Sequence, residues 1–181
     1  MQFSDNFTPI PEKFWSFETG EPFKTCSLCG IDLTEPGTNY LIEKAYKKEE
    51  VLFEYAMCWD CKSNISKELS RKSLELIANY FDEHVDIEKR LEEGIEKKGL
   101  NADNWLEHCL IKGTPIAEAD EHHICGQFVD EDLVFSGFPY ALSDKAMEDL
   151  VELLSDETRG SLDDFSKKLF DIDLSNPVLI L

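Results

Sequence analysis

No stretch of this chain approaches the roughly 20 apolar residues that would cross a bilayer. Met1-Gln2-Phe3-Ser4-Asp5 lacks the basic start and apolar run of a secretory leader. Histidine is scarce, at four residues. There is no Ser-His-Asp order, no phosphate loop and no Gly-x-Gly-x-x-Gly, so the usual hydrolase and nucleotide-binding patterns are missing. Basic residues are also few: 18 Lys or Arg stand against 38 Asp or Glu, a net charge of −20. The deficit is steepest from Thr114 to Leu181, where 16 acidic and 4 basic residues give −12. A field of that sign repels phosphate backbones and favours basic partners.

What is present fits a soluble globular protein, with 42% hydrophobic and 31% charged residues in 181. That length suits one ordinary domain or two small ones. Six cysteines occur, four of them in two Cys-x-x-Cys pairs. In a chain without a leader that usage points to a metal and not to disulfides, and so to the cytoplasm.

The first pair is Cys26-Ser27-Leu28-Cys29, followed by Gly30, and the second is Cys58 and Cys61, separated from the first by 28 residues. Zinc takes soft thiolates in a tetrahedron, and each Cys-x-x-Cys turn presents two sulfurs to one ion. Cys26, Cys29, Cys58 and Cys61 are therefore the predicted ligands of one structural Zn2+. Four thiolates leave no open position for water or substrate, which argues against catalytic zinc. A redox role would need a lowered thiolate pKa in a βαβ setting, and neither pair follows a parallel-strand pattern.

Between the pairs, Tyr40–Tyr46 and Val51–Met57 flank a short polar turn and read as a β-hairpin. Cys58 and Cys61 open a helix, and Ser70 is placed to cap a second one bearing Leu76, Ile77, Tyr80 and Phe81. The predicted organisation is an irregular arm over 1–22, a zinc-binding unit over 23–85, an exposed helical connector over 86–104 and a second unit over 105–181. Pro177–Leu181 reads as a buried terminal strand.

That second unit echoes the first. Cys109-Leu110-Ile111-Lys112-Gly113 parallels Cys26 to Gly30, and a strand pair over Glu121–Phe128 and Leu133–Phe135 follows. Tyr140 and Ser143 then fall opposite Cys58 and Cys61, Ser143 opens a helix, and Ser155 answers Ser70. A Ser161-x-x-Asp164 capping box would start the last helix. The alternative to duplication is coincidence between two small α+β units. If the echo is real, Cys109, Lys112, Tyr140 and Ser143 should converge on one small volume, with Ser143 capping its helix and Lys112 directed outward.

Knuckle, hairpin and a helix that supplies the second pair resemble the treble-clef class of zinc fingers over residues 23–85. With the Tyr40-Leu41-Ile42-Glu43-Lys44 strand, they also resemble a bacterial family of tandem finger-like proteins without an assigned activity. The resemblance implies an α+β protein of two tandem treble-clef-like units, the first metallated and the second degenerate. The function expected is an adaptor or regulatory module that binds another protein, a basic one by the sign of the charge.

Two alternatives remain open. Lys44, Lys47, Lys48, Lys62, Lys67, Arg71 and Lys72 cluster around the first unit and would suit a nucleic-acid-associated finger. A pocket lined by His122, His123 and carboxylates would suit an enzyme. His108, Cys109, His122, His123 and Cys125 fit no finger spacing, and the two cysteines read as small buried residues.

Overall fold

The computed structural model describes residues 6–170. Strands β1 to β6 are Phe7–Pro9, Asn39–Lys47, Glu50–Cys58, Glu121–Val129, Asp132–Val134 and Tyr140–Ser143. Helices α1 to α6 are Trp59–Glu68, Arg71–His84, Ile87–Lys98, Ala102–Leu106, Asp144–Glu152 and Asp156–Phe170. The class is α+β, as expected. The strand predicted over 177–181 lies outside the described residues.

All six strands join one sheet in the order β1-β5-β4-β2-β3, with β6 also paired to β4. The two halves of the chain therefore do not stand apart. β2 and β4 are antiparallel along their whole length, from Asn39 opposite Val129 to Lys47 opposite Glu121. On its other edge β4 pairs first with β6 and then, through Phe128 and Val129, with β5. The arm over 1–22 is less irregular than expected, because Phe7–Pro9 pairs with β5.

Burial of β2 on both faces explains why its sequence does not alternate: Tyr40 to Ala45 are all buried. One face carries Tyr40 stacked on Phe128, and Phe14 from the arm meets the edge of the same ring. The opposite face is covered by helices, with Phe165 and Phe170 of α6 on Tyr55 and Phe81 of α2 on Tyr140.

Residues 86–98, expected to be an exposed connector, form α3, and one side of it is packed. Gly94 is buried against Trp105 of α4, whose indole N–H donates to Gly99 O at 2.9 Å and whose ring lies beneath the Arg90 guanidinium. A Cβ on Gly94 would sit 2.6 Å from that ring. Gly94→Ala gains about 1 kcal/mol of helix propensity but overpacks a fully buried indole, which typically costs about 1–3 kcal/mol. The variant is expected to melt at or below the parent temperature. A clear rise in the urea midpoint would show that Trp105 has room to move.

Candidate metal centre

Gly30 makes the first knuckle possible, with a φ of +74° that residues bearing a Cβ rarely adopt. Its N–H donates to Cys26 O at 2.9 Å, and the Cys26 N–H donates to Ile31 O at 2.9 Å. The knuckle is fastened to β3, because the Ser27 N–H donates to Ala56 O at 2.8 Å and the Ala56 N–H to Ser27 Oγ at 3.1 Å. Cys58 ends β3 and caps α1, its sulfur accepting from the Cys61 N–H at 3.4 Å. The Cys58 N–H in turn donates to Cys26 Sγ at 3.4 Å.

The strand, the knuckle and the first turn of α1 thus bring all four predicted ligands together. Their sulfurs lie within 4.8 Å of one another, and Cys29 and Cys58 are 3.7 Å apart, Sγ to Sγ. A tetrahedron with zinc–sulfur bonds of about 2.3 Å has edges of about 3.8 Å. Cys26, Cys58 and Cys61 are buried and Cys29 is exposed. These four residues are positioned to bind a metal ion, and the donor set is compatible with structural zinc. Among the described residues no other group of three or more His, Cys, Asp or Glu is so placed.

The electrostatics agree with that chemistry. Burial pushes the Cys61 thiol up, and hydrogen bonds to Cys29 and Cys58 push it further. Burial also raises Cys58. At Cys26 burial acts in the same direction but is outweighed by the N–H groups of Cys29, Cys58 and Leu28 aimed at its sulfur, which bring the pKa down to about 7. Four thiols this close cannot all ionise unless a cation joins them.

In the second half the four expected positions do not converge. Cys109 Sγ accepts from the N–H of Lys112 at 3.4 Å and of Ser143 at 3.3 Å, so those three backbones meet. Tyr140 does not join them: it pairs across the sheet with Cys125 and stacks on Phe138. The exposed Lys112 binds Asp149 of α5, which also accepts from the Tyr80 hydroxyl at 2.6 Å. Ser143 begins α5 without capping it; its Oγ is buried and unpartnered. The last helix starts at Asp156 and not near Ser161, because Ser155 Oγ accepts from the Thr158 N–H at 3.2 Å. Ser161 instead donates from mid-helix to Glu68 O.

The two neighbouring histidines point to opposite faces of β4, as strand alternation requires. His123 is buried, its Nδ1 2.7 Å from Glu43 Oε1. His122 stacks on Tyr46 and lines a cleft with Lys48, Glu118 and Asp120. Burial and the neighbouring His123 hold its pKa down at about 4, so it is a neutral ring at pH 7. The two rings cannot serve one pocket.

The basic cluster around the first unit loses one member to the interior, and others make surface contacts. Lys44 is buried on Glu54 at 3.0 Å, and its ammonium donates to Trp15 O at 2.6 Å. Lys47 pairs with Glu121, Arg71 with Glu75, and Lys62 lies over the Trp59 ring.

A feature that the sequence did not reveal is an apolar groove of about 340 Å³ beside α1 and α2. Leu74, Ile77, Phe81, Ile87, Phe138 and Tyr140 line it, and Leu74 and Ile87 remain 36% and 46% exposed. Asp82, Glu83 and Asp86 lie between Phe81 and Ile87 and are exposed.

No helix among the described residues is long and apolar enough to cross a membrane. No family model, curated protein or solved structure matches this chain.

Proposed function

We propose that this chain is a structural-zinc protein of two tandem treble-clef-like halves, only the first metallated, acting as an adaptor or regulatory module. Cys26, Cys29, Cys58 and Cys61 hold the zinc, and the closed four-sulfur set gives the ion a folding role with no site for substrate. The observation that carries the binding role is the apolar groove between α2 and residues 137–140. Apolar side chains left exposed along a groove mark a contact site. Exposed Asp82, Glu83 and Asp86 in the α2–α3 junction, between the lining residues Phe81 and Ile87, and the chain's charge of −20 favour a basic amphipathic segment of another protein, with Lys62 as the charged residue on the groove wall. The burial of Lys44 in its pair with Glu54 and the net charge of −20 weigh against nucleic acid.

A fluorescent amphipathic peptide of alternating leucine and lysine faces tests this reading by anisotropy. Saturable binding that weakens with salt is expected. Leu74→Asp and Ile87→Asp, both at exposed positions, should each weaken it about tenfold, equivalent to about 1.4 kcal/mol. Duplex DNA should give no signal at physiological salt. Peptide binding indifferent to both substitutions, or tight salt-sensitive DNA binding, would contradict the proposal.

A further inference from the structure

The second knuckle repeats four of the hydrogen bonds that build the first. Gly113 has a φ of +65°, and its N–H donates to Cys109 O at 2.8 Å, as Gly30 does to Cys26. The Cys109 N–H donates to Thr114 O at 2.8 Å, as Cys26 does to Ile31. The Leu110 N–H donates to Ala141 O at 2.8 Å, as Ser27 does to Ala56. The Ser143 N–H reaches Cys109 Sγ at 3.3 Å, as the Cys58 N–H reaches Cys26 Sγ.

These bonds fix a correspondence that differs from the sequence reading. Ala141 answers Ala56, and Ser143, the last residue of β6, answers Cys58, the last residue of β3. Three residues on, Ala146 in the first turn of α5 answers Cys61 in the first turn of α1, and it is completely buried.

The same relation holds at distant points. Tyr40 pairs with Cys58 and His122 with Ser143, which makes Glu43 the counterpart of Cys125. Those two residues face each other across β2 and β4, so an approximate dyad passes between them. Far from the sheet, the Ser70 N–H donates to Thr158 Oγ1 at 2.9 Å and the Ser155 N–H to Ser73 Oγ at 2.9 Å. The two helix starts are fastened to each other in the same reciprocal way.

From this we infer that the second half holds a vacated metal site: Cys109 is its surviving ligand, and Lys112, Ser143 and Ala146 stand at the other three corners. The inference rests on reading the first half as a metal-binding knuckle and helix. Fixed backbone and not the metal now sets the geometry: Cys109 Sγ accepts from the Lys112 N–H within the knuckle and from the Ser143 N–H at the start of α5, and the second bond joins the two. The Lys112–Asp149 pair, joined by Tyr80, ties the same knuckle to α5 and α2. A backbone still arranged for four sulfurs should bind a soft cation again once the thiolates are returned.

The full-length protein carrying Lys112→Cys, Ser143→Cys and Ala146→Cys is compared with the wild type by metal content and cobalt titration. The wild type is expected to take one equivalent and the triple variant two, with the tetrathiolate absorption doubled. A wild type without metal would sink the reading of the first half. A wild type with one equivalent beside a folded triple variant that also takes one would overturn this inference alone.

Ser143→Cys by itself supplies a test that does not depend on the triple variant folding. It changes one buried atom and should allow diamide to form a disulfide between Cys109 and position 143, seen as a 2 Da loss and placed by peptide mapping (about 2 Da for two protons and electrons taken up by the oxidant). Two free thiols at those positions after treatment would overturn the inference.

Discussion

Cys58→Ser and Cys61→Ser are each expected to abolish stoichiometric zinc and to eliminate the cooperative melting transition. Binding of a structural zinc is worth about 10–16 kcal/mol, whereas a domain of this size has a net stability of about 5–15 kcal/mol. Both residues are buried, and Cys58 is at once the end of β3, the cap of α1 and a partner of Cys29. The damage should not stay local, because β2, paired to β3 on one edge, is paired to β4 along all of the other. Cys29→Ser is the informative contrast. Cys29 is the exposed residue of the four, so water can take its place and a weaker zinc complex should survive with a lowered melting temperature. Metal content and circular dichroism on the three variants measure these outcomes. A Cys58→Ser protein that keeps its melting curve without zinc would show the site to be dispensable.

The second large effect is expected at the centre of the sheet. Glu43 is buried on β2, accepting from the Tyr55 hydroxyl and facing His123 Nδ1 at 2.7 Å. Burial pushes the Tyr55 hydroxyl well above its ordinary range, with the Glu43 charge adding to it, so the phenol stays protonated and remains a donor. Burial does the same to Cys125 and Tyr140 beside it. Glu43→Leu would strand two buried polar groups at once, and breaking a buried charged network in this way costs about 3–5 kcal/mol. In a chain of this length that lowers the melting temperature by roughly 6–20 °C. Glu43→Leu combined with His123→Leu and Tyr55→Phe should recover part of the loss, since stranded partners cost more than apolar replacements. Equal stability of Glu43→Leu and the parent would refute this account of the core.

The four-cysteine cluster was legible in the sequence because metal chemistry needs two sulfurs per turn and a glycine after the first turn, and both are written locally. The hairpin of β2 and β3 and the helices α1 and α2 were legible from aromatic strands and apolar helical spacing. Glu43 and Lys44 were not. Each reads as a surface charge on a strand, and their partners Tyr55, His123, Glu54 and the Trp15 carbonyl are distant in the chain. The second knuckle could be seen in Cys109 and Gly113, but its register could not. Residues 130–139, with β5 among them, separate β4 from β6, so counting residues placed Tyr140 where the backbone bonds place Ser143. Ser155 and Ser161 both precede acidic residues, and only the Thr158 N–H distinguishes the true cap. Nothing local announced the groove, which is assembled from α1, α2, the second knuckle and Phe138.

X-ray absorption at the zinc edge on the purified full-length protein tests the central claim most directly. One zinc per chain with four sulfur neighbours at about 2.3 Å and no nitrogen or oxygen in the shell is the predicted result. A folded protein without zinc, or a shell containing nitrogen or oxygen ligands, would contradict a closed site built from Cys26, Cys29, Cys58 and Cys61.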